Sequence, residues 1–155
     1  MMQIEYLTKM KNTPKIGKRE NEGVSEEEIS RLENKLNVTL PKAYKEFLLL
    51  GGRYDNIINN FELDFDGLES MQKLAKEKVE TENLDLKNFW CFAEYGDFDS
   101  FMFFLLNDGE NPAVYSFIAE KGLLNDKNEP VSYLKFRNSF NEYIDRCIDE
   151  ALNDK

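Results

Sequence analysis

The sequence predicts an α+β domain with a mainly antiparallel central sheet of about four to six strands flanked by helices. Three observations predict it. Two short amphipathic helices, punctuated by a cap and a proline, precede any strand. Three apolar strand segments then follow one another across short, turn-rich links, which favour hairpins over crossovers. A capped amphipathic helix closes the chain. At 155 residues and 41% apolar content, there is material for one ordinary core.

Residues 1–23 carry Ile4, Tyr6 and Leu7 ahead of a lysine-rich run to Arg19. Pro14 and Gly17 break any longer helix, so this N-terminal extension reads as a docked first turn or helix followed by a linker. The domain proper is expected over 24–152. Ser25 with Glu28 makes a capping box, in which the serine oxygen accepts from a first-turn amide and the glutamate reaches back to the cap. Val24 and Ile29 stand at staple positions, and Glu26, Glu27 and Glu28 favour the positive helix end. Ile29, Leu32 and Leu36 recur on one face until Asn37-Val38 stops the pattern. Pro41 restarts a helix at the first helical position, where its missing N–H costs nothing. Tyr44, Phe47 and Leu48 form the buried stripe of this second helix, and Gly51-Gly52 are expected to supply a left-handed exit.

Arg53 to Asn60 reads as a loop. Phe61, Leu63 and Phe65 alternate with Glu62, Asp64 and Asp66, a period of two that predicts a half-buried strand. Leu68, Met71, Leu74, Ala75 and Val79 share one helical face, with Asp66 and Glu69 as a cap pair. Phe89 to Tyr95 is a buried strand, and Gly96-Asp97 begins its turn. Phe101 to Leu106 is nearly continuous in apolar residues, as expected of a central strand covered on both faces. Asn107-Asp108-Gly109 breaks the run, and Ala113 to Ile118 forms the next strand. Gly122 to Pro130 is turn-rich, and Val131 to Phe136 fits either a short strand or a helical turn. Ser139 with Glu142 repeats the capping box, and Phe140, Ile144, Cys147 and Ile148 carry the last helix inward.

Several of these segments resemble a known family. The capped acidic helix with Glu33, the run Leu40, Pro41, Tyr44, Phe47, Leu48 and the pair Gly51-Gly52 are similar to the opening of the SUKH superfamily. That superfamily includes fungal regulators of cell-wall assembly and many bacterial immunity proteins of polymorphic toxin systems. Trp90, Phe92, Ala93, Gly96 and Asp97 resemble its central strand and acidic turn. Pro112, Val114 and Tyr115 resemble the next strand, and Ser139, Phe140, Tyr143 and Ile144 the closing helix. The likeness covers Val24 to Leu152. The chain departs from the pattern at Leu50, where Asn is frequent, and at Phe103-Phe104, where an Asp commonly closes the strand.

Composition narrows the chemistry. The chain has no histidine, which removes the commonest general base and the commonest metal ligand together. Cys91 and Cys147 are too far apart in sequence for a zinc knuckle and read as small core hydrophobes of a reducing, cytoplasmic compartment. A disulfide would need their Cα atoms within ~7 Å. Neither GxxxxGK[ST] nor GxGxxG occurs, so no phosphate-binding cofactor is indicated. The first residues lack an apolar run for a leader or membrane span. A net charge of −10 argues against nucleic acid and anionic membrane as partners and favours a basic one. Solubility alone also accounts for that charge.

Carboxylates remain, in three groups: Asp64 with Asp66; Glu94, Asp97 and Asp99; Asp108 with Glu110. Each reads either as a hard-cation or acid–base site or as a solvated face with turn aspartates. None matches a calcium loop, and no metal is assigned. The second group joins Tyr95 and Phe98 to acids around Gly96, which suits a docking patch for a basic protein surface. It equally suits a β-turn whose aspartates bond their own backbone while Phe98 points inward. Trp90 and the phenylalanine-rich strands read as core.

The resemblance implies a non-enzymatic protein-binding domain that neutralises a cognate toxin, often a nuclease or deaminase, by direct binding. Glu94, Tyr95, Asp97 and Asp99 are the candidate partner-binding residues. The alternatives are a regulatory scaffold resembling the fungal members, or a hydrolase built on carboxylates and a metal.

Overall fold

In the computed structural model, which describes residues 2–58 and 61–153, the elements run α1 (Thr8–Lys11), α2 (Glu26–Leu36), α3 (Lys42–Gly51), a 3-10 turn (Phe65–Gly67) and α4 (Leu68–Thr81). Then come β1 (Phe89–Tyr95), β2 (Ser100–Leu105), β3 (Val114–Ile118), β4 (Leu123–Leu124), β5 (Pro130–Val131), β6 (Tyr133–Arg137) and α5 (Phe140–Asn153). Strands β1, β2, β3 and β6 form one antiparallel sheet in that order, and β4 with β5 a separate two-stranded ribbon. The chain is a single α+β domain. Asn59 and Asn60, at the end of the loop expected over 53–60, lie outside the described residues.

β2 is apolar from Phe101 to Leu105, and both its faces are covered. Phe104 points to a ring cluster centred on Tyr44, which also touches Phe47, Trp90, Phe92 and Phe140 at 5.2–6.3 Å between centroids. Phe101 and Phe103 point the other way, where Phe101 stacks on Phe117 at 4.4 Å and Phe103 meets Phe89 at 5.5 Å. Trp90 and Phe92, two apart on β1, both face Tyr44, and a register shift between Cys91 and Ala93 leaves Phe92 with no residue opposite it. The residues of the family likeness are thereby explained: Leu40, Tyr44, Phe47 and Trp90 are all at most 2% exposed.

β1 is an edge strand, and a side chain covers its open backbone. The Gln72 amide donates to the Cys91 carbonyl at 2.7 Å and accepts from the Cys91 amide at 2.8 Å. Gln72, buried on α4, thus stands in for a neighbouring strand.

The capping signals hold with local changes. Ser25 Oγ accepts from the Glu28 amide at 3.1 Å, but the Glu28 carboxylate turns away from the cap to Arg53 at 2.9 Å. At α5, Ser139 Oγ accepts from the Glu142 amide at 3.1 Å, and Glu142 reaches back to the Asn138 amide at 3.3 Å. The elbow between α2 and α3 is fixed by Glu33, whose carboxylate accepts from the Leu40 amide at 2.7 Å and pairs with Lys45 at 3.4 Å. Pro41 is the N-cap, one position before the expected one, because its ψ of 148° keeps it outside the helix.

The glycine pair does a different job from the one expected. Gly51 ends α3 in helical conformation and Gly52 has φ −83°, so neither is left-handed. The left-handed cap belongs instead to Asn37 at the end of α2, with φ 54°. The chain itself closes α3: the Val24 and Gly52 amides both donate to the Leu48 carbonyl, at 2.9 and 3.2 Å. Space is short at both glycines: a Cβ on Gly51 would come within 2.7 Å of the flexible Met10 Cε, and one on Gly52 within 2.6 Å of the Leu48 Cα.

Three further segments differ from the reading. Phe61–Phe65 makes no strand; it forms single bridges, Tyr54 to Asp64 and Glu62 to Glu94, and turns into the 3-10 element. Asp64, not Asp66, caps that turn by accepting from the Asp66 amide at 3.1 Å. The Gly122–Pro130 region contains the β4–β5 ribbon, and the ambiguous stretch after it resolves as β6.

Residues 2–23 pack into the same core. Leu7, Met10 and Ile16 are at most 1% exposed. The buried Glu46 carboxylate accepts from the amides of Glu5, Tyr6 and Leu7 at 2.9–3.0 Å, with Lys42 at 3.9 Å. Both cysteines are free. Cys91 is buried and Cys147 half-buried in α5, where burial pushes its thiol up to about 12.

Candidate functional site

The β1–β2 hairpin carries the acidic turn. Gly96, Asp97 and Phe98 take positive φ in succession, at 63°, 51° and 70°. Glycine and aspartate accept that region readily, whereas a phenylalanine there is strained by ~1–3 kcal/mol. Four contacts hold the turn. The Glu94 carboxylate accepts from the Phe98 amide at 3.1 Å. The Asp99 amide donates to the Gly96 carbonyl at 3.1 Å, and the Asp99 carbonyl accepts from the Ala119 amide at 2.8 Å. The Asp99 carboxylate pairs with Lys78 at 3.3 Å. Phe98 is half-buried against Phe101.

The structure divides the four candidate residues by depth. Tyr95 (59% exposed), Asp97 and Asp99 lie on the surface, while Glu94 (8% exposed) lies beneath the turn and supports it. Burial raises the Glu94 carboxyl above the ordinary 4.5, the Phe98 amide opposes that, and the neighbouring Glu62 carboxyl and Asp97 charge add to the rise.

A groove of about 470 Å³ opens beside this turn, lined by Asp55, Glu62, Asp64, Leu74, Glu94 and Phe98. Asp64 therefore converges with the Glu94 group, which its place in the sequence did not suggest. Glu62 and Asp55 belong to the same surface and were missed. The alternation over Phe61–Phe65 was the signal for Glu62, since it marks a segment laid against β1; Asp55, in the preceding loop, had none. The third acidic group goes elsewhere. Asp108 accepts from the Ala113 amide at 3.0 Å and the Glu110 carbonyl from the Ala43 amide at 2.9 Å, so both sit by the start of α3. That is the opposite end of β2, about 17 Å away for a strand of this length.

The surface suits a cationic partner. Carboxylates line the groove with Leu63, Met71 and Leu74, the last 42% exposed, and Tyr95 lines an adjoining cavity that shares Asp55 and Glu62. Among the described residues no three His, Cys, Asp or Glu side chains are placed to hold a metal ion. Among the same residues no helix is long and apolar enough to cross a membrane. The model of one protein family, described as the SMI1/KNR4 family (SUKH-1), matches residues 23–146, from the approach to α2 into α5. Comparison with curated proteins finds no match.

Proposed function

Because this chain belongs to the SMI1/KNR4 family (SUKH-1), we propose that it is a protein-binding domain with no catalytic role, an immunity protein that occludes a cognate basic toxin domain in the cytoplasm. One observation carries the reading: Asp55, Glu62 and Asp64 line one groove beside a hairpin that exposes Tyr95, Asp97 and Asp99. The hairpin is braced by the Glu94 carboxylate on the Phe98 amide, by the backbone bonds of Asp99 and by its pair with Lys78, so the charged tip is held in place before any partner arrives. A preformed acidic face can enter the positive groove with which a nuclease grips phosphate. Close charge pairs across such an interface couple by ~1.5–7 kcal/mol, and rim charges mainly accelerate encounter.

The test is capture from native lysate by the wild-type chain and by Asp97→Asn/Asp99→Asn, at low and high salt. A basic toxin domain should be retained by the wild type at low salt, released at high salt, and lost from the variant. A regulatory or assembly protein in its place would favour the scaffold role. Capture that is indifferent to both salt and the two substitutions would remove the acidic face from the account.

A further inference from the structure

We propose that the groove between α5 and the sheet is a second docking surface, which takes an extended acidic segment of a partner protein through Arg137 and Arg146. This surface is opposite in charge to the acidic face, and the proposal stands independently of it. The groove encloses about 630 Å³ and follows α5 from Tyr143 to Asn153. Ten residues of helix span about 15 Å, the reach of four or five residues of extended chain. A cleft of that length suits a peptide segment better than a compact metabolite.

Charge identifies the occupant. Acidic side chains outnumber basic ones by 30 to 20; Lys9, Lys35, Lys42, Lys45, Arg53, Lys78 and Lys87 have carboxylate partners, and among the bases that do not, two arginines share one groove. Arg137 and Arg146 form no ion pair among the described residues, although both line this one groove. Glu150 shares the groove one helical turn from Arg146 and leaves it unpaired as well.

Arg137 is also held ready. Its guanidinium lies 4.1 Å over the Phe136 ring, and Nη1 donates to the Phe136 carbonyl at 2.8 Å. The remaining N–H groups are left for an outside carboxylate, which the planar fork can take in bidentate fashion. Phe136 owes its position to a register shift. Val114 pairs with Arg137 and Tyr115 with Lys135, so Phe136 has no residue opposite it and stands 46% exposed. Met102 and Ile118 add apolar lining to the same groove. Acids alternating with an aromatic or aliphatic side chain would satisfy both features, and arginine is among the residue types enriched at interface hot spots.

The probe is a fluorescein-labelled heptapeptide alternating Asp with Phe and Leu, compared by anisotropy with the same peptide bearing Lys for Asp. The acidic peptide should bind and the lysine peptide should not. Arg137→Gln/Arg146→Gln should weaken binding by about tenfold or more, with an unchanged circular dichroism spectrum. Asp97→Asn/Asp99→Asn should leave it unchanged, which separates this surface from the acidic face. If the double variant fails to fold, Arg146→Gln alone, at an exposed helix position, should still reduce affinity measurably. Equal binding of both peptides, no binding of either, or full affinity after loss of the arginines would overturn the proposal.

Discussion

Glu62 and Glu94 face each other across an antiparallel bridge and exchange both backbone hydrogen bonds, at 2.7 and 3.0 Å. Two acidic residues are thus fastened side by side beneath the hairpin tip. The segment that carries Glu62 is tied to the sheet at this point.

That arrangement gives stability a pH dependence with a definite sign. The folded-state carboxyl of Glu94 titrates above its ordinary 4.5, chiefly through burial. An acid whose value rises on folding is favoured protonated, so its contribution is present below 4.5 and is lost as pH climbs through the raised value. Glu94→Gln keeps an oxygen for the Phe98 amide and removes the charge. Thermal melts from about pH 4 to about pH 8 should show the variant losing less stability with rising pH than the wild type. Parallel curves would mean that Glu94 does not titrate in this window.

Glu46 should prove the most sensitive acid in the chain. Glutamine has one acceptor oxygen and would aim an NH2 group at amides that already donate. Glu46→Gln should cost about 3 kcal/mol, given ~1.5–3 kcal/mol for each hydrogen bond to a charged group. Urea unfolding measures the loss. Trypsin should also cut faster at Lys15 and Lys18, because residues 2–23 lose their tether.

Gln72→Ala removes both hydrogen bonds that cover the Cys91 peptide groups on the edge of β1. Two buried backbone groups without partners cost about 2–6 kcal/mol together. Hydrogen exchange at the Cys91 amide should accelerate more than at any β2 amide. Equal acceleration throughout the sheet would indicate global destabilisation instead.

Gly51→Ala separates two roles for the glycine pair. A left-handed glycine would lose stability through backbone strain, whereas this helical one loses it through a collision with Met10 Cε at 2.7 Å and Ile57 Cδ1 at 3.1 Å. Because the collision falls on the flexible end of Met10 and alanine gains ~1 kcal/mol over glycine in a helix, the net cost should be small, about 0–2 kcal/mol, and should be relieved when Met10 is shortened to Val. Additive costs in the double variant would rule out the collision.

The sequence announced those elements whose periodicity and caps agree, such as α2 with Ser25 and α5 with Ser139. It could not distinguish a glycine kept for φ from one kept for room, because Met10 and Ile57 reach Gly51 only through tertiary packing. Alternation over Phe61–Phe65 is the mark of a strand, but only Leu63 is fully buried there, and two single bridges suffice to hold the segment. Tyr95, Asp97 and Asp99 were legible as a turn. Glu94 was not legible as their support, since depth beneath a hairpin depends on what lies against the strand. The arginine groove left no trace in sequence, because Arg137 and Arg146 meet only where β6 and α5 converge.

The tether at Glu46 matters for anyone choosing where to cut this polypeptide. The span matched by the family begins at residue 23, and a shortened version starting there would look sensible on paper. It would bare the hollows now filled by Leu7, Met10 and Ile16 and strand a carboxylate in oil. Clumping in the test tube, mistaken for a poor-quality domain, would be the result.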